Sequence, residues 1–459
     1  MISTLPLTLT AEPVSLRRRS DSVLDPVLLY GAFGLLLFGP LAFGAVEWWS
    51  ISIMQVSAGL LFMLWAAREV VTGELEVVGN PLFLPMALFA GLIAWQIAAG
   101  RTAYGAETFS TALLYCTYGV LCFLAVQCLR RTSQVKVLAW MFSGYGLAVA
   151  TFALLQSLAS NGRLYWLRPL ASDGWIYGPY ANHNHYAGLM EMLAPIPLVV
   201  SFSEEVRGAR KALAALAAAV MASTIFLSGS RGGMLAFAAQ MALLAGFLIK
   251  RRKNGRAAVA LTFFLVIACG LLAWLGGGEL VQRMASIHGS AAAELSGGTR
   301  LTIDRDALKM FAQKPVLGWG LGVFPDVYPQ FSSLGTNLQV GAAHNDYLQL
   351  LVEMGTIGFA VVLWFLLTLF RCAIKKLKQQ PADYNTALAL TAVLGVIGIL
   401  VHSLVDFNLQ IPANAALFYV LCVVAAMEPR FGRHRRNRNR HSVEELSGEP
   451  VVSAKVSVS

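Results

Sequence analysis

The chain has 459 residues, 57% of them hydrophobic and 13% charged, with a mean hydropathy of +0.62 and a net charge of +10. A soluble domain carries about 25% charged residues, so this balance excludes a soluble globular protein and a disordered one. A positive balance can mark a nucleic-acid partner, but here the basic residues flank apolar runs, which points to a membrane.

Residues 1–26 are polar, contain Arg17, Arg18 and Arg19, and are expected to be a cytosolic tail. The run that follows is too long for the apolar region of a signal peptide and has no small-residue cleavage site, so it is expected to act as an uncleaved anchor. A hydrocarbon core of ~30 Å takes about 20 apolar residues per helix. Twelve stretches qualify: 27–46, 51–70, 81–99, 108–129, 137–158, 186–203, 211–228, 232–250, 257–275, 345–370, 384–404 and 411–427. Each must be helical, because a backbone in lipid has to satisfy its own hydrogen bonds. The seventh and eighth are joined by a short Gly/Ser turn and read as a helical hairpin.

With the N-terminus inside, cytosolic segments hold 26 of the 35 Lys and Arg and outer segments hold nine. The positive-inside rule then predicts an even number of spans and two cytosolic termini. The tail 429–459, with RFGRHRRNRNRH, reads as an anchor on anionic lipid and not as a nucleic-acid site. The expected fold is an all-α integral membrane protein, a polytopic bundle of about 12 transmembrane helices over 27–428.

Two outer segments exceed what a connection needs. Residues 159–185 are rich in Tyr and Trp. Residues 276–344, between the ninth and tenth spans, form the largest extramembrane loop. Within it, 301–315 is expected to form a short amphipathic helix at the membrane surface, with Leu301, Ala307, Leu308 and Phe311 on one face and Arg305, Asp306 and Lys309 on another. The six cysteines lie in or beside apolar runs without metal spacing and are expected to be packing residues, with no disulfide framework. No internal repeat is present.

Five outer clusters carry candidate chemistry. They are Asn182, His183 and His185 entering the sixth span; Arg231 in Ser228-Gly-Ser-Arg-Gly-Gly233; Arg300 with Arg305; His344, Asn345 and Asp346 entering the tenth span; and His402 with Asp406 closing the eleventh. Arg231 sits where positive charge is disfavoured, among glycines that open the backbone to a ligand and beside a helix N-terminus that attracts anions. Its planar fork suits a pair of phosphate oxygens. Arg300 and Arg305 are candidates for a second clamp, or for a surface charge pair with Asp304 or Asp306. His344 is the candidate general base, since an imidazole accepts a proton near neutral pH. His183, His185 and His402 lack metal-ligand spacing, and no metal or other cofactor is expected. Gly318-Trp-Gly-Leu-Gly322 follows no strand and reads as a turn, not a nucleotide loop.

His344-Asn345, followed after nine residues by Gly355 and after two more by Gly358, is similar to the signature of the O-antigen ligase and O-antigen polymerase superfamily. PVLGWGLGVF, ANHNHYAGL, SGSRGG, the Arg300–Arg305 segment and HSLVDFNLQIPAN resemble that family in the same order, over about 170–425. The resemblance implies a GT-C-like glycosyltransferase of the bacterial inner membrane that works on the periplasmic face without metal. Its donor would be a polyprenyl-diphosphate-linked oligosaccharide, and its acceptor a hydroxyl on a glycan, on lipid A core or on a protein. Carried over, Arg231 and Arg300, with Arg305, would bind the diphosphate, and His344 would assist the acceptor. Asn182, His183, His185, Asn345, Asp346, His402 and Asp406 would line the substrate site. Two other classes fit twelve spans: a transporter or transport subunit, as for inorganic carbon, and a non-catalytic scaffold of an envelope-polysaccharide complex.

Overall fold

The structure is a computed structural model that describes residues 24–73, 75, 77–169, 176–203, 205–251, 297–334, 340–379 and 384–427. The expected ninth span, Cys269, Trp175, residues 1–23 of the N-terminal tail and the C-terminal tail lie outside the described residues. The rest is an all-α membrane protein. Its helices are α1 (Leu24–Leu41), α2 (Trp48–Thr72), α3 (Phe83–Ala98), α4 (Gly105–Cys128), α5 (Thr132–Leu158), α6 (His183–Leu193), α7 (Pro195–Phe202), α8 (Ala209–Leu227), α9 (Arg231–Arg251), α10 (Gly297–Gln313), α11 (Asp346–Gln379), α12 (Tyr384–His402) and α13 (Pro412–Ala426). Eight described segments are long and apolar enough to cross a membrane, α6 and α7 counting as one; α3, α12 and α13 are apolar but shorter.

Local sequence explains the breaks. The expected span 186–203 is two helices, because Pro195 and Pro197 open α7 and a proline inside a helix removes a backbone donor. The α8–α9 hairpin forms as expected around the Ser228–Ser230 turn. Asn182 caps α6 by accepting from the Asn184 N–H at 2.8 Å. Asn345 caps α11 by accepting from the Tyr347 and Leu348 N–H groups, both at 3.1 Å.

The centre of the bundle is α6, α12 and α13. Nearly all residues of the α6–α7 segment are buried, and α13 is buried on nearly every face. Around this centre α9 packs on α12, α4 on α13, and α8 on α5 and α7. Among the described residues β-structure is confined to a two-residue hairpin, Arg163–Leu164 with Arg168–Pro169, and a Tyr177–Tyr180 bridge.

The segment before α11 has its own small core, in which Ile303, Ala307, Met310, Val323, Phe324, Val327 and Tyr328 meet Leu348 and Val352 of α11. The helix expected at 301–315 is present as α10, but its buried face is different. Ile303, Asp306, Ala307 and Met310 point inward, while Leu301 and Leu308 are exposed. An acidic residue takes an inward position because Asp306 is fully paired there. It accepts from the Ser333 N–H (2.8 Å) and hydroxyl (2.7 Å) and from Lys309 Nζ (2.8 Å).

Gly318-Trp-Gly-Leu-Gly322 is a strap laid along α11 where that helix breaks at Gly355 (φ 62°). Trp319 and Gly320 donate their N–H groups to the Val352 and Glu353 carbonyls, at 3.0 and 2.9 Å. A Cβ at Gly318 would run into the Glu353 carbonyl, and one at Gly355 into the Val316 carbonyl. Both glycines are therefore required by close backbone contact. Glu353 anchors the strap by accepting from the Gly322 N–H at 2.9 Å.

Candidate functional site

The candidate residues come from four distant parts of the chain and meet at one short segment, His402–Phe407, which leaves the end of α12. Arg300 on α10 donates from Nη1 to the Val405 carbonyl (3.0 Å), and its Nη2 is 3.9 Å from Asp406 Oδ2. His185 on α6 places Nε2 3.8 Å from Asp406 Oδ1, an ion pair when the ring is protonated. The rings of His185 and His344 each meet Phe407 edge-to-face, with centroids 4.7 Å apart in both cases. Arg231 opens α9, and the next residue, Gly232, lies so close to this segment that a Cβ there would be 2.5 Å from His402 Cδ2 and 2.9 Å from Val405 Cγ2.

Asp406 is the electrostatic centre. Burial alone raises a carboxyl, but the charges of His185, His402, His344 and Arg300 outweigh it and hold Asp406 below the usual carboxylate range. On α10, burial pushes the Asp304 carboxyl up, against the pull of Arg300. Arg300 thus faces two carboxylates and keeps part of its side chain, 27%, open to the outside.

His344 is held in an uncommon backbone conformation, φ 54°. For a residue with a Cβ this costs about 1–2 kcal/mol. Flanking bonds impose it: the Ala343 N–H donates to Gln349 Oε1 (3.1 Å), and Asn345 caps α11 on the other side. Gln349 is tied in turn to Glu353, which holds the glycine strap.

Asp346 turns its carboxylate toward the same loop. It accepts from Ser403 Oγ (2.7 Å), the Leu409 N–H (3.1 Å) and Gln410 Nε2 (3.3 Å). It fastens the start of α11 to the α12–α13 connection, as Asn182 and Asn345 fasten helix starts. His183 is buried in the first turn of α6. Arg305 is not part of the gathering: it is exposed on α10 and has no hydrogen bond or ion pair with the described residues. Among the described residues no three His, Cys, Asp or Glu side chains are grouped as metal ligands.

Two further residues stand at the centre of the site: Glu191, which the sequence does not single out, and Ser230, which it offers only as part of the Arg231 turn. Glu191 on α6 is fully buried, and its Oε1 lies 2.8 Å from His402 Nδ1. Ser230, the residue before Arg231, places Oγ 3.4 Å from His402 Nε2. The available signal for Glu191 was a single carboxylate inside an apolar run, since an ionisable group in a membrane helix is a functional candidate by default.

A cavity of about 530 Å³ lies beside this site, between α3, α4, α11 and α13. Its walls are apolar and aromatic, including Phe89, Tyr115, Phe365 and Tyr419, and Asp346 and Tyr347 stand at its edge.

Residues 216–363 match the family model described as O-Antigen ligase. The matched region includes Arg231, Arg300 and His344 and stops short of His402–Phe407. An uncharacterised protein of Haemophilus influenzae is 24% identical over 245 residues, an alignment covering 49% of this chain and 58% of the relative. The chain thus spans little more than half the length of that relative. Residues 216–363, well under half of the chain, are thus similar to the O-antigen ligase family.

Proposed function

We propose that this protein is a membrane glycosyltransferase of the ligase or polymerase type, which moves a glycan from a polyprenyl-diphosphate carrier to an acceptor hydroxyl. The observation that carries this reading is the convergence of the Arg231 turn, Arg300 and His344 on His402–Phe407, from three separate parts of the chain. A cationic pair beside an imidazole suits a reaction that builds negative charge on a diphosphate while a hydroxyl loses its proton.

In this reaction the acceptor oxygen forms a bond to the anomeric carbon, and the bond from that carbon to the diphosphate oxygen breaks with its electron pair. The bond electrons leave as charge on the polyprenyl diphosphate, where the guanidinium groups of Arg231 and Arg300 neutralise it. These groups act more strongly on the transition state than on the ground state. His344 takes the acceptor proton, or orients the hydroxyl, for attack from the opposite face, and the anomeric configuration inverts. The charge on the leaving group is met by protein cations, and the reaction runs without a metal. Asp406 holds Arg300 and His185 in place. The apolar cavity at the Asp346–Tyr347 edge has the lining that a polyprenyl chain needs, with its polar end toward the site.

The 26-to-nine distribution of basic residues supports a site on the periplasmic face, with both termini in the cytosol. The acceptor would be a glycan, a lipid A core sugar or a protein hydroxyl.

The test is transfer of labelled lipid-linked glycan by the purified protein in EDTA, comparing wild type with Arg231→Ala and His344→Ala. Loss in both variants supports the reading. Full transfer by a well-folded His344→Ala protein removes the base, and a requirement for added divalent cation removes the metal-free mechanism.

A further inference from the structure

Glu191, His402 and Ser230 form a carboxylate–imidazole–hydroxyl series in which every member is at most 1% exposed. They come from two helices and a turn: Glu191 from α6, His402 from the end of α12, and Ser230 from the turn before α9. Glu191 Oε1 engages His402 Nδ1 at 2.8 Å, and His402 Nε2 faces Ser230 Oγ at 3.4 Å. Bonding Nδ1 to a carboxylate fixes the ring plane and directs the other nitrogen at its partner.

The order of groups is that of a hydrolase triad, but Ser230 is not placed as a nucleophile. Its side chain is fully buried, and its Oγ already accepts the Gly233 N–H at 3.1 Å, which caps the first turn of α9. The series therefore acts on the backbone that carries Arg231. Ser230, which precedes Arg231, faces the His402 ring, and a Cβ at Gly232, which follows it, would collide with that ring. Gly233 completes the contact, since a Cβ there would be 3.2 Å from Glu191 Oε1. A buried charge-bearing pair costs desolvation that an apolar pair of equal volume would not.

We propose that Glu191, His402 and Ser230 are positioning residues that lock the Arg231 turn against the end of α12 and so aim the Arg231 guanidinium at a diphosphate. The assignment rests on the functional reading above, in which Arg231 meets the lipid diphosphate. It gives His402 and Ser230 a defined role in that site and adds Glu191, which the sequence does not single out.

The experiment measures binding of undecaprenyl diphosphate and undecaprenyl monophosphate to the purified full-length protein in nanodiscs, with thermal melting of each variant as a check on folding. Arg231→Ala is expected to weaken diphosphate binding by about tenfold or more. Glu191→Gln and Ser230→Ala are each expected to weaken it comparably and to narrow the preference for diphosphate over monophosphate. Added to Arg231→Ala, either should weaken binding little further, because all three act on one interaction.

If Arg231→Ala binds the diphosphate as wild type does, the functional reading itself is overturned. If Arg231→Ala is weakened while folded Glu191→Gln and Ser230→Ala bind normally, the positioning role alone is overturned. Losses that add to that of Arg231→Ala also overturn it, since they would report a general structural effect. Should Glu191→Gln fail to fold, Ser230→Ala, which removes one oxygen, decides the matter by the same criteria.

Discussion

Arg300 Nη2 lies 3.9 Å from Asp406 Oδ2, and the two side chains differ sharply in exposure: 27% for the arginine and 1% for the aspartate. The buried carboxylate lies along one edge of the guanidinium, the Val405 carbonyl takes another donor, Nε is buried, and the exposed part of the side chain faces outward. A cation fixed on its inner side and open on its outer side needs little reorganisation to receive an oxyanion.

Arg300→Ala is therefore expected to reduce glycan transfer by about 100-fold, the usual size for loss of one preorganised donor. Arg300→Lys should recover little of it, because a compact ammonium lacks the planar fork that reaches the Val405 carbonyl on one edge and a phosphate on another. Transfer kinetics on lipid-linked donor, with both variants at wild-type melting temperature, check this.

His344 combines a proposed chemical role with a measurable backbone cost. His344→Gly removes the penalty of φ 54°, about 1–2 kcal/mol, and loses the ring contact with Phe407, worth about 0.5–1.5 kcal/mol. These nearly cancel, so melting should stay close to wild type while transfer falls by about 100-fold or more. A parallel loss of stability and transfer would mean that the imidazole serves the fold.

The glycine strap gives a purely structural prediction. Gly318→Ala places a methyl group against the Glu353 carbonyl at a φ of 73°. Destabilisation by about 1–3 kcal/mol is expected, read as a lower thermal midpoint and faster proteolysis of residues 297–334. The same substitution at Gly34, which has open space around it, should have little effect of this kind.

Asp306 makes the α10 region sensitive to acid. Burial raises its carboxyl, but hydrogen bonds from Lys309 and from the Ser333 N–H and hydroxyl outweigh burial and hold it below the ordinary value of 3.8. A carboxyl depressed in the folded state contributes stability that is complete above the unfolded value and lost as pH falls through the folded one. Hydrogen exchange across 297–334 should therefore be slow above about pH 5 and rise on further acidification. Asp306→Asn should exchange faster at neutral pH and respond less to acid.

Much of the bundle was legible because membrane burial imposes long apolar runs that need no tertiary information. Eleven of the twelve expected stretches coincide with described helices, and the Arg231 hairpin turn stands where the Gly/Ser pattern puts it. The buried face of α10 was not legible. Asp306 can turn inward only because Ser333, from a later segment, meets it there. Glu191 was not legible for a related reason: in the sequence it is one acid in an apolar helix, and its imidazole partner lies 211 residues away.

Helices, their breaks at proline and glycine, and the chemical types available at their ends follow from local sequence, since hydropathy and backbone sterics act locally. The tertiary structure alone decided which ends share a site. It gathered Arg300, His185 and His344 at Asp406–Phe407, left Arg305 outside and added Glu191. The physical reason is that charges and imidazoles in a low-dielectric interior are stable only where partners from other helices meet them, and their meeting depends on packing.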